Sequence, residues 1–259
     1  MNEILKISSA GKTDIGLKRK NNEDRYLIMD NSDNRYDIDR LGKMFAVADG
    51  MGGHLAGETA SRMACDALLE YYNEDSSENQ LSPETLLARL KNRIHAASKQ
   101  ISSFAFENRE YAGMGTTLSV LMLHKENALI AHVGDSRIYR LRSNEFKQLT
   151  ADHTQVQELV NMGQLTPEEA AYHPLRHILT HAVGRKQSSG AVYTCIEPLQ
   201  KKDVFLLCSD GLHDMMSDDE IKKVLLKGPS PQAACEKLVA QALKYGGKDN
   251  VTVVVVFCE

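Results

Sequence analysis

The sequence lacks the features that mark membrane, secreted or nucleic-acid-binding proteins. No apolar run approaches the ~20 residues that a membrane span needs, and the charges of Glu3 and Lys6 argue against a signal peptide. The net charge of −4 leaves no basic excess for a nucleic acid. The five cysteines are odd in number, scattered and without a CxxC pair, which favours reduced, buried thiols. We therefore expect a cytoplasmic protein with no nucleic-acid or membrane partner.

Repeats, low-complexity tracts and proline-rich linkers are also absent. The 259 residues suit one large domain or two small ones, and we expect a single domain over residues 1–259. Two polar stretches, 31–42 and 73–83, predict surface loops.

Nine apolar runs are strand-like, and most are joined by short turns such as 124–127 and 142–145. Short turns favour antiparallel pairing. The runs lie near residues 4–9, 25–30, 43–48, 116–123, 127–133, 137–141, 191–197, 203–208 and 251–257.

Helix signals separate some of these runs. Alanines recur at helical spacing from 54 to 72, and a long amphipathic stripe begins at Ser82–Pro83. A last helix is expected from about 230 to 245. The pattern predicts an α+β fold in which sheets are sandwiched between helices.

Five strand-like segments each carry an acidic residue at one end. An isolated Asp before Gly is ordinarily a turn residue, but adjacent strands of a sheet can bring such ends to one rim. Clustered carboxylates raise one another's pKa unless a cation neutralises them. A site built from oxygen ligands alone favours Mg²⁺ or Mn²⁺ over zinc. The acids are Glu23, Asp24, Asp49, Asp135, Asp210 and Asp249.

Glycines after the third strand suit such a site. Gly50 would let a backbone carbonyl reach the metal, while Gly52 and Gly53 would leave room for a substrate. Two oxygen-ligated metals can hold a hydroxide and phosphate oxygens and support in-line displacement. Arg19 is a candidate phosphate clamp, because a guanidinium fork matches phosphate geometry. Spacing alone leaves a second interpretation open, in which Arg19 belongs to a solvated, lysine-flanked surface run.

Seven motifs, in family order from about residue 8 to the C-terminus, resemble those of the metal-dependent serine/threonine protein phosphatases of type 2C, in their compact bacterial form. The resemblance implies one catalytic domain built as a four-layer α-β-β-α sandwich, with two mainly antiparallel sheets flanked by helix pairs. It also implies hydrolysis of phosphoserine and phosphothreonine by a metal-bridging water, without a phosphoenzyme. The motifs read "RKNNEDRY", "FAVADGMGGHLAGETAS", "GMGTTL", "AHVGDSRIYR", "LTADHT", "LCSDGL" and "GGKDNVTVVVV".

The resemblance also implies which residues hold the metals. Asp49 would bridge two ions, Mn²⁺ or Mg²⁺, and the Gly50 carbonyl would hold the second ion. Asp210 and Asp249 would hold the first ion. Asp135 would join Asp210 in holding a weaker third ion.

Other residues match the motifs that surround the metals. Glu23, counted here with the metal ligands, and Asp24 match the early acidic motif, in which Asp24 would orient the metal-bound water. Arg19 matches the phosphate-binding arginine.

The identity of the general acid is left open, because His54 has two interpretations. Eukaryotic members place a histidine directly after Asp-Gly, where Met51 stands in this chain. His54 lies three residues later, as in bacterial relatives. It could protonate the leaving serine oxygen, or it could cap the next helix.

Three further histidines, His173, His177 and His181, are spaced i, i+4 and i+8. On one helix they could bind a metal, but Pro174 interrupts the window and no carboxylate joins them at ligand spacing. The family often has arginine where His181 stands.

The stretch from about 153 to 187, the flap segment, is too long for a plain connection. It carries two short helix signals, one from about Thr154 to Gly163 and one starting at Thr166. In bacterial relatives the matching segment is a mobile flap. We expect a small subdomain, locally less stable than the sheets, that helps to select protein substrates and contributes little to the chemistry.

The expected partners are phosphoproteins, including a bacterial serine/threonine kinase and its substrates, and we expect a monomer. The alternative is a catalytically weak or inactive module that keeps the fold for binding or regulation. Loss of a metal acid would signal that alternative, and none is lost.

Overall fold

The computed structural model describes residues 5–30, 36–53, 55–73, 81–185 and 192–259. Strands and helices alternate along the chain in blocks. In chain order the strands are β1 (Ile7–Asp14), β2 (Asp24–Met29), β3 (Lys43–Met51), β4 (Gly115–Thr116), β5 (Leu118–His124), β6 (Asn127–Val133), β7 (Arg137–Arg142), β8 (Glu145–Gln148), β9 (Tyr193–Pro198), β10 (Val204–Cys208) and β11 (Val251–Cys258).

The helices fall where the capping residues predict. Ser82 accepts a hydrogen bond from the Thr85 backbone at the start of the longest helix. Among the described residues, no helix is both long and apolar enough to cross a membrane. The helices are α1 (Ile38–Leu41), α2 (Leu55–Leu69), α3 (Pro83–Glu107), α4 (Gln155–Asn161), α5 (Pro167–Ala171), α6 (Asp210–His213), α7 (Asp218–Lys227) and α8 (Pro231–Lys244), with 3₁₀ turns at Glu70–Asn73 and Arg109–Tyr111.

The described strands form two sheets in which every pairing is antiparallel. One sheet has the order β1-β11-β10-β7-β8, and the other has the order β2-β3-β5-β6-β9, with β4 paired to β3. Helices α2 and α3 cover the second sheet, and α7 and α8 cover the first. The predicted α+β fold, a four-layer α-β-β-α sandwich, is confirmed.

Strand β3 shows how one sequence serves two apolar layers. Met44, Ala46 and Ala48 pack with the helices α2 and α3, whereas Phe45 and Val47 pack between the sheets. Successive side chains of a strand point to opposite faces, so a strand covered on both sides must be apolar throughout.

Strand β11 repeats this division. Val253 and Val255 belong to the layer under α7 and α8, whereas Val254 and Val256 belong to the layer between the sheets. The unbroken valine run thus reflects burial on both faces of a central strand.

Three elements differ from the prediction. Strand β8 was missed because its residues are mostly polar and it lies at a sheet edge, where Phe146 stacks on Tyr139 at 4.7 Å between ring centroids. Strand β1 runs further than the apolar stretch 4–9, because its polar half pairs with β11. Helix α1 lies inside a stretch predicted as a surface loop, and its Leu41 is buried.

The flap segment contains the two short helices that its sequence predicts, α4 and α5. Thr154 caps α4, and Thr166 forms a capping box with Glu169 at α5. Backbone bonds from Gln155 to Ile178 (2.9 Å) and from Thr180 to His153 (2.8 Å) close the base of the segment. Its last two predicted residues lie outside the described ranges.

The layer between the sheets should carry much of the stability. Phe205 is completely buried there, whereas Phe106 at the end of α3 is 84% exposed. We expect Phe205→Ala to lower the free energy of unfolding by about 3–5 kcal/mol. The matched change Phe106→Ala should stay within about 0.5 kcal/mol of the wild type. Urea denaturation measures both, and similar losses in the two variants would contradict this assignment of the core.

Candidate metal centre

The strand-end acids meet at one rim of the two sheets. Asp24 and Asp49 are register partners in β2 and β3. Asp210 follows β10, Asp249 precedes β11, and Asp135 follows β6. A cavity of about 700 Å³ opens at this rim, and its lining includes Arg19, Glu23, Asp49, Gly50, Asp135, Asp210 and Asp249. Nine residues are proposed from the sequence as catalytic or metal-binding, and seven of them therefore line one cavity.

Asp24 is not among the described residues that line this cavity. Asp24 is buried behind it and accepts a hydrogen bond of 2.7 Å from the Ser209 hydroxyl. Because Ser209 also accepts from the Thr252 backbone at 3.0 Å, this contact joins the ends of the two sheets. Burial raises the pKa of Asp24 to about 6. His54 lies outside the described residues, so its role stays a prediction.

Glycines let the third strand and α2 approach each other. A Cβ at Gly50 would collide with the Gly57 carbonyl and would stand 2.7 Å from the Glu23 carbonyl oxygen. Gly53 has a φ of +83° and open space where a side chain would be, so a larger residue there would be strained and would enter the cavity. At Gly52 a side chain is excluded for a different reason, because a Cβ there would stand 2.8 Å from the Met114 Cα.

The carboxylates at the rim disfavour one another's charge. Burial, and then the neighbouring carboxylates, raise the pKa of Asp49 and Asp210 well above the usual range. Burial and the nearby Asp152 raise the pKa of Asp135 to about 7. The Asp210 Oδ1 atom is buried without a hydrogen-bond partner among the described residues. An all-oxygen donor set with an unpartnered oxygen fits a hard divalent cation such as Mg²⁺ or Mn²⁺.

Arg19 closes one side of the cavity. Its Nη2 donates to Asp249 Oδ2 at 2.5 Å, and this hydrogen bond raises the pKa of the guanidinium. Asn250, which sequence reasoning missed, holds this corner together. Its side chain accepts from the Glu23 backbone at 2.9 Å and donates to the Ile15 carbonyl at 2.9 Å.

A histidine contacts the backbone of Asp135, and an ion pair lies behind it. His213 Nε2 lies 3.1 Å from the Asp135 carbonyl oxygen. Burial lowers the pKa of His213 to about 3, so the ring is neutral and can donate to that carbonyl. Behind them Arg137 makes a two-pronged ion pair with Asp152, with distances of 3.0 and 2.7 Å.

Folding brings in two residues that sequence spacing did not connect. His177 Nε2 lies 3.5 Å from Asp214 Oδ2, and one ligand atom from each of these residues lies within 4.8 Å of one from Asp210. The helical spacing considered for the three histidines does not occur, because α5 ends at Ala171. His181 instead packs edge-on against His153 at 5.3 Å.

Comparison with known sequences assigns the chain to a family. A family model for protein phosphatase 2C matches residues 20–245. The serine/threonine phosphatase stp of Listeria welshimeri is 38% identical over 245 residues, covering 95% of this chain and 93% of that protein. Protein phosphatase PhpP of Streptococcus pneumoniae is 38% identical over 245 residues, covering 94% of each.

Solved structures agree. Serine/threonine phosphatase Stp1 from Staphylococcus aureus superposes with a TM-score of 0.87 at 37% identity, covering 98% of this chain and 96% of that chain. The catalytic domain of PstP, in complex with two manganese ions, gives 0.81 at 34% identity, covering 98% and 99%. The fold and its acidic rim place the chain in a class of metal-dependent phosphatases. It belongs to the protein phosphatase 2C family, and it is a serine/threonine protein phosphatase.

The raised carboxylate pKa values lead to a test of metal linkage. Protons and divalent cations compete for the same oxygens. At about pH 5 Asp135, whose pKa is raised to about 7, holds a proton that a cation must displace, whereas at about pH 8 it is mostly ionised. The raised pKa values of Asp49 and Asp210 act in the same direction. The increase in melting temperature caused by saturating Mn²⁺ over EDTA should therefore be larger at pH 8 than at pH 5.

Differential scanning fluorimetry measures this increase. Buried neutral histidines such as His132 and His213 also make stability depend on pH, but they affect the samples with and without Mn²⁺ alike. The difference between the two samples therefore isolates the acids. An increase that is equal at both pH values, or larger at pH 5, would contradict the proposed competition.

Proposed function

We propose that the chain hydrolyses phosphoserine and phosphothreonine in proteins with two divalent cations, Mn²⁺ or Mg²⁺, held at the acidic rim. The observation that carries the proposal is the convergence of carboxylates from both sheets on one cavity, including a buried and unpartnered Asp210 oxygen. The two manganese ions of the PstP catalytic domain support the number of ions.

Each acid has a proposed part. Asp49 would hold both cations, and the Gly50 carbonyl and Glu23 would hold the second one. Asp210 and Asp249 would hold the first cation. Asp135 and Asp210 would hold a weaker third cation. When bound, the cations supply the positive charge that activates a water and neutralises phosphate oxygens.

The remaining residues bind the substrate and move protons. Arg19 binds the substrate phosphate, and a cation at Asp249 would compete for the carboxylate that Arg19 contacts in this structure. Asp24, buried behind the cavity with a pKa raised to about 6, would orient the attacking water. His54 is the proposed general acid for the leaving oxygen.

The proposed substrates are phosphoproteins, including a bacterial serine/threonine kinase and the proteins that it phosphorylates. The similar proteins described above all come from bacteria, which supports this cellular setting. The flap segment borders the cavity through Arg176, His177, Ile178 and Leu179, which supports a role for it in contacting a protein substrate.

Metal dependence is the first expectation. The purified chain should hydrolyse p-nitrophenyl phosphate with Mn²⁺ or Mg²⁺ and should stop in EDTA. Asp49→Asn should lower kcat by more than the roughly 10- to 100-fold that loss of an outer ligand partner costs, because both cations lose a ligand. Asp66→Asn, an exposed acid on α2, is the matched control and should keep full activity. Full activity of the wild type in excess chelator would end the metal proposal.

The phosphate clamp is the second expectation. Arg19→Ala should raise KM and lower kcat/KM by about 10- to 100-fold, because a charge-assisted bond to the phosphate is lost. Arg19→Lys should recover only part of this loss, since the fork is gone. Lys18→Ala, an exposed neighbour in the same basic run, is the control. If Arg19→Ala leaves steady-state kinetics unchanged, Arg19 belongs to a surface run.

A further inference from the structure

Four cationic side chains line the acidic cavity: Arg19, Arg176, Arg185 and Lys248. Arg19 is paired with Asp249. Among the described residues, the other three make no ion pair with a carboxylate. Such unpaired cations at the mouth of a substrate cavity are available for an anion of the substrate.

Arg185 differs from the other two in its surroundings. Lys248 directly precedes Asp249 in the chain, and Arg176 precedes His177, which faces Asp214. Arg185 instead lies against Gly115, where an added Cβ would stand 3.4 Å from its Cγ and 3.7 Å from its Nε. Its side chain therefore lies against the rim of the cavity, and within the described part of the chain no carboxylate forms an ion pair with it.

The backbone beneath Arg185 is firmly held. Thr116 and Val183 exchange two backbone hydrogen bonds of 3.0 and 2.8 Å. The Gly184 N–H donates to the Ser98 hydroxyl of α3 at 3.0 Å, and a Cβ at Gly184 would collide with Ile101. Arg185 thus follows directly on a fixed junction between the flap segment and the body of the molecule.

This junction lies close to Asp49 at the acidic rim. Gly115 pairs with Met51, and Thr116 pairs with Gly50. A strand advances about 3.4 Å per residue, so the Met51–Gly115 pair is about 7 Å along the strand from Asp49. An extended substrate peptide, which advances by a similar amount per residue, would cover that distance in two or three residues.

We propose that Arg185 binds an anionic side chain of the substrate, a carboxylate or a second phosphate, within three residues of the phosphoserine or phosphothreonine being hydrolysed. The inference rests on the proposed phosphatase function and makes that function selective for acidic or multiply phosphorylated sites. The guanidinium fork suits both anions, because each presents two oxygens in one plane to it.

The test compares one phosphothreonine peptide in three versions. In the first version, the three residues on each side of the phosphothreonine are neutral. In the second, one of these six positions carries a glutamate. In the third, the same position carries a non-hydrolysable phosphonate. The wild type, Arg185→Ala and Arg185→Lys are assayed on all three versions and on p-nitrophenyl phosphate. Arg109→Ala, an exposed arginine outside the cavity, is the matched control.

We expect the wild type to prefer an anionic version by about threefold to tenfold in kcat/KM, and less so at high salt. Arg185→Ala should lose this preference while keeping its activity on the neutral peptide and on p-nitrophenyl phosphate. Arg185→Lys should keep part of the preference. If glutamate and phosphonate both raise kcat/KM over the neutral peptide, Arg185 accepts either anion. If only the phosphonate raises it, Arg185 selects a second phosphate. Either result supports the inference.

Three results would overturn the inference while leaving the proposed function in place. If the wild type shows no preference for an anionic peptide, or if Arg185→Ala keeps that preference, Arg185 does not form an anion site. Equal losses on all substrates, including p-nitrophenyl phosphate, would make Arg185 part of the reacting centre or of the fold. Absence of hydrolysis by the wild type on every substrate would instead defeat the proposed function, and this inference with it.

Discussion

Crowding of like charge at one rim is the constraint on which the rest of this structure depends. Asp49 and Asp210 reach the rim from different sheets. Burial raises the pKa of both, and neighbouring carboxylates raise it further: Asp24 and Asp210 act on Asp49, and Asp135 and Asp249 act on Asp210. Such an arrangement opposes folding unless protons or cations neutralise it. The three apolar layers supply the opposing stability, since Phe45, Phe205 and Val254 are completely buried between the sheets.

Besides Arg19, several neighbours that carry no charge themselves hold the acids in place. Gly50 and Gly57 allow α2 to approach the end of β3, and Asn250 ties the loop before β2 to the start of β11. Ser209 donates to the buried Asp24 and so links the two sheets directly behind the cavity. Because these contacts connect distant parts of the chain, they fix the acids of the rim relative to one another.

The fold and the acidic cluster could be predicted because their signals are local. Apolar runs ending in an acid, and serines or threonines three residues before a glutamate, are visible over a few residues. Strand β8 was missed because its polar residues form a sheet edge. The contact of His177 with Asp214 and the position of Arg185 were also missed, since each depends on how the flap segment returns to the body. Spacing along the chain carries no information on such tertiary contacts.

The central claim is that Asp49 stands between two cations, and anomalous diffraction tests it most directly. Crystals grown with Mn²⁺, measured near the manganese absorption edge, should show two strong peaks on the rim, both within coordination distance of Asp49. Crystals of Asp49→Asn should show both peaks weakened or lost, because each ion loses a ligand. A wild type with no peak at Asp49, or a variant with both peaks unchanged, would contradict the account.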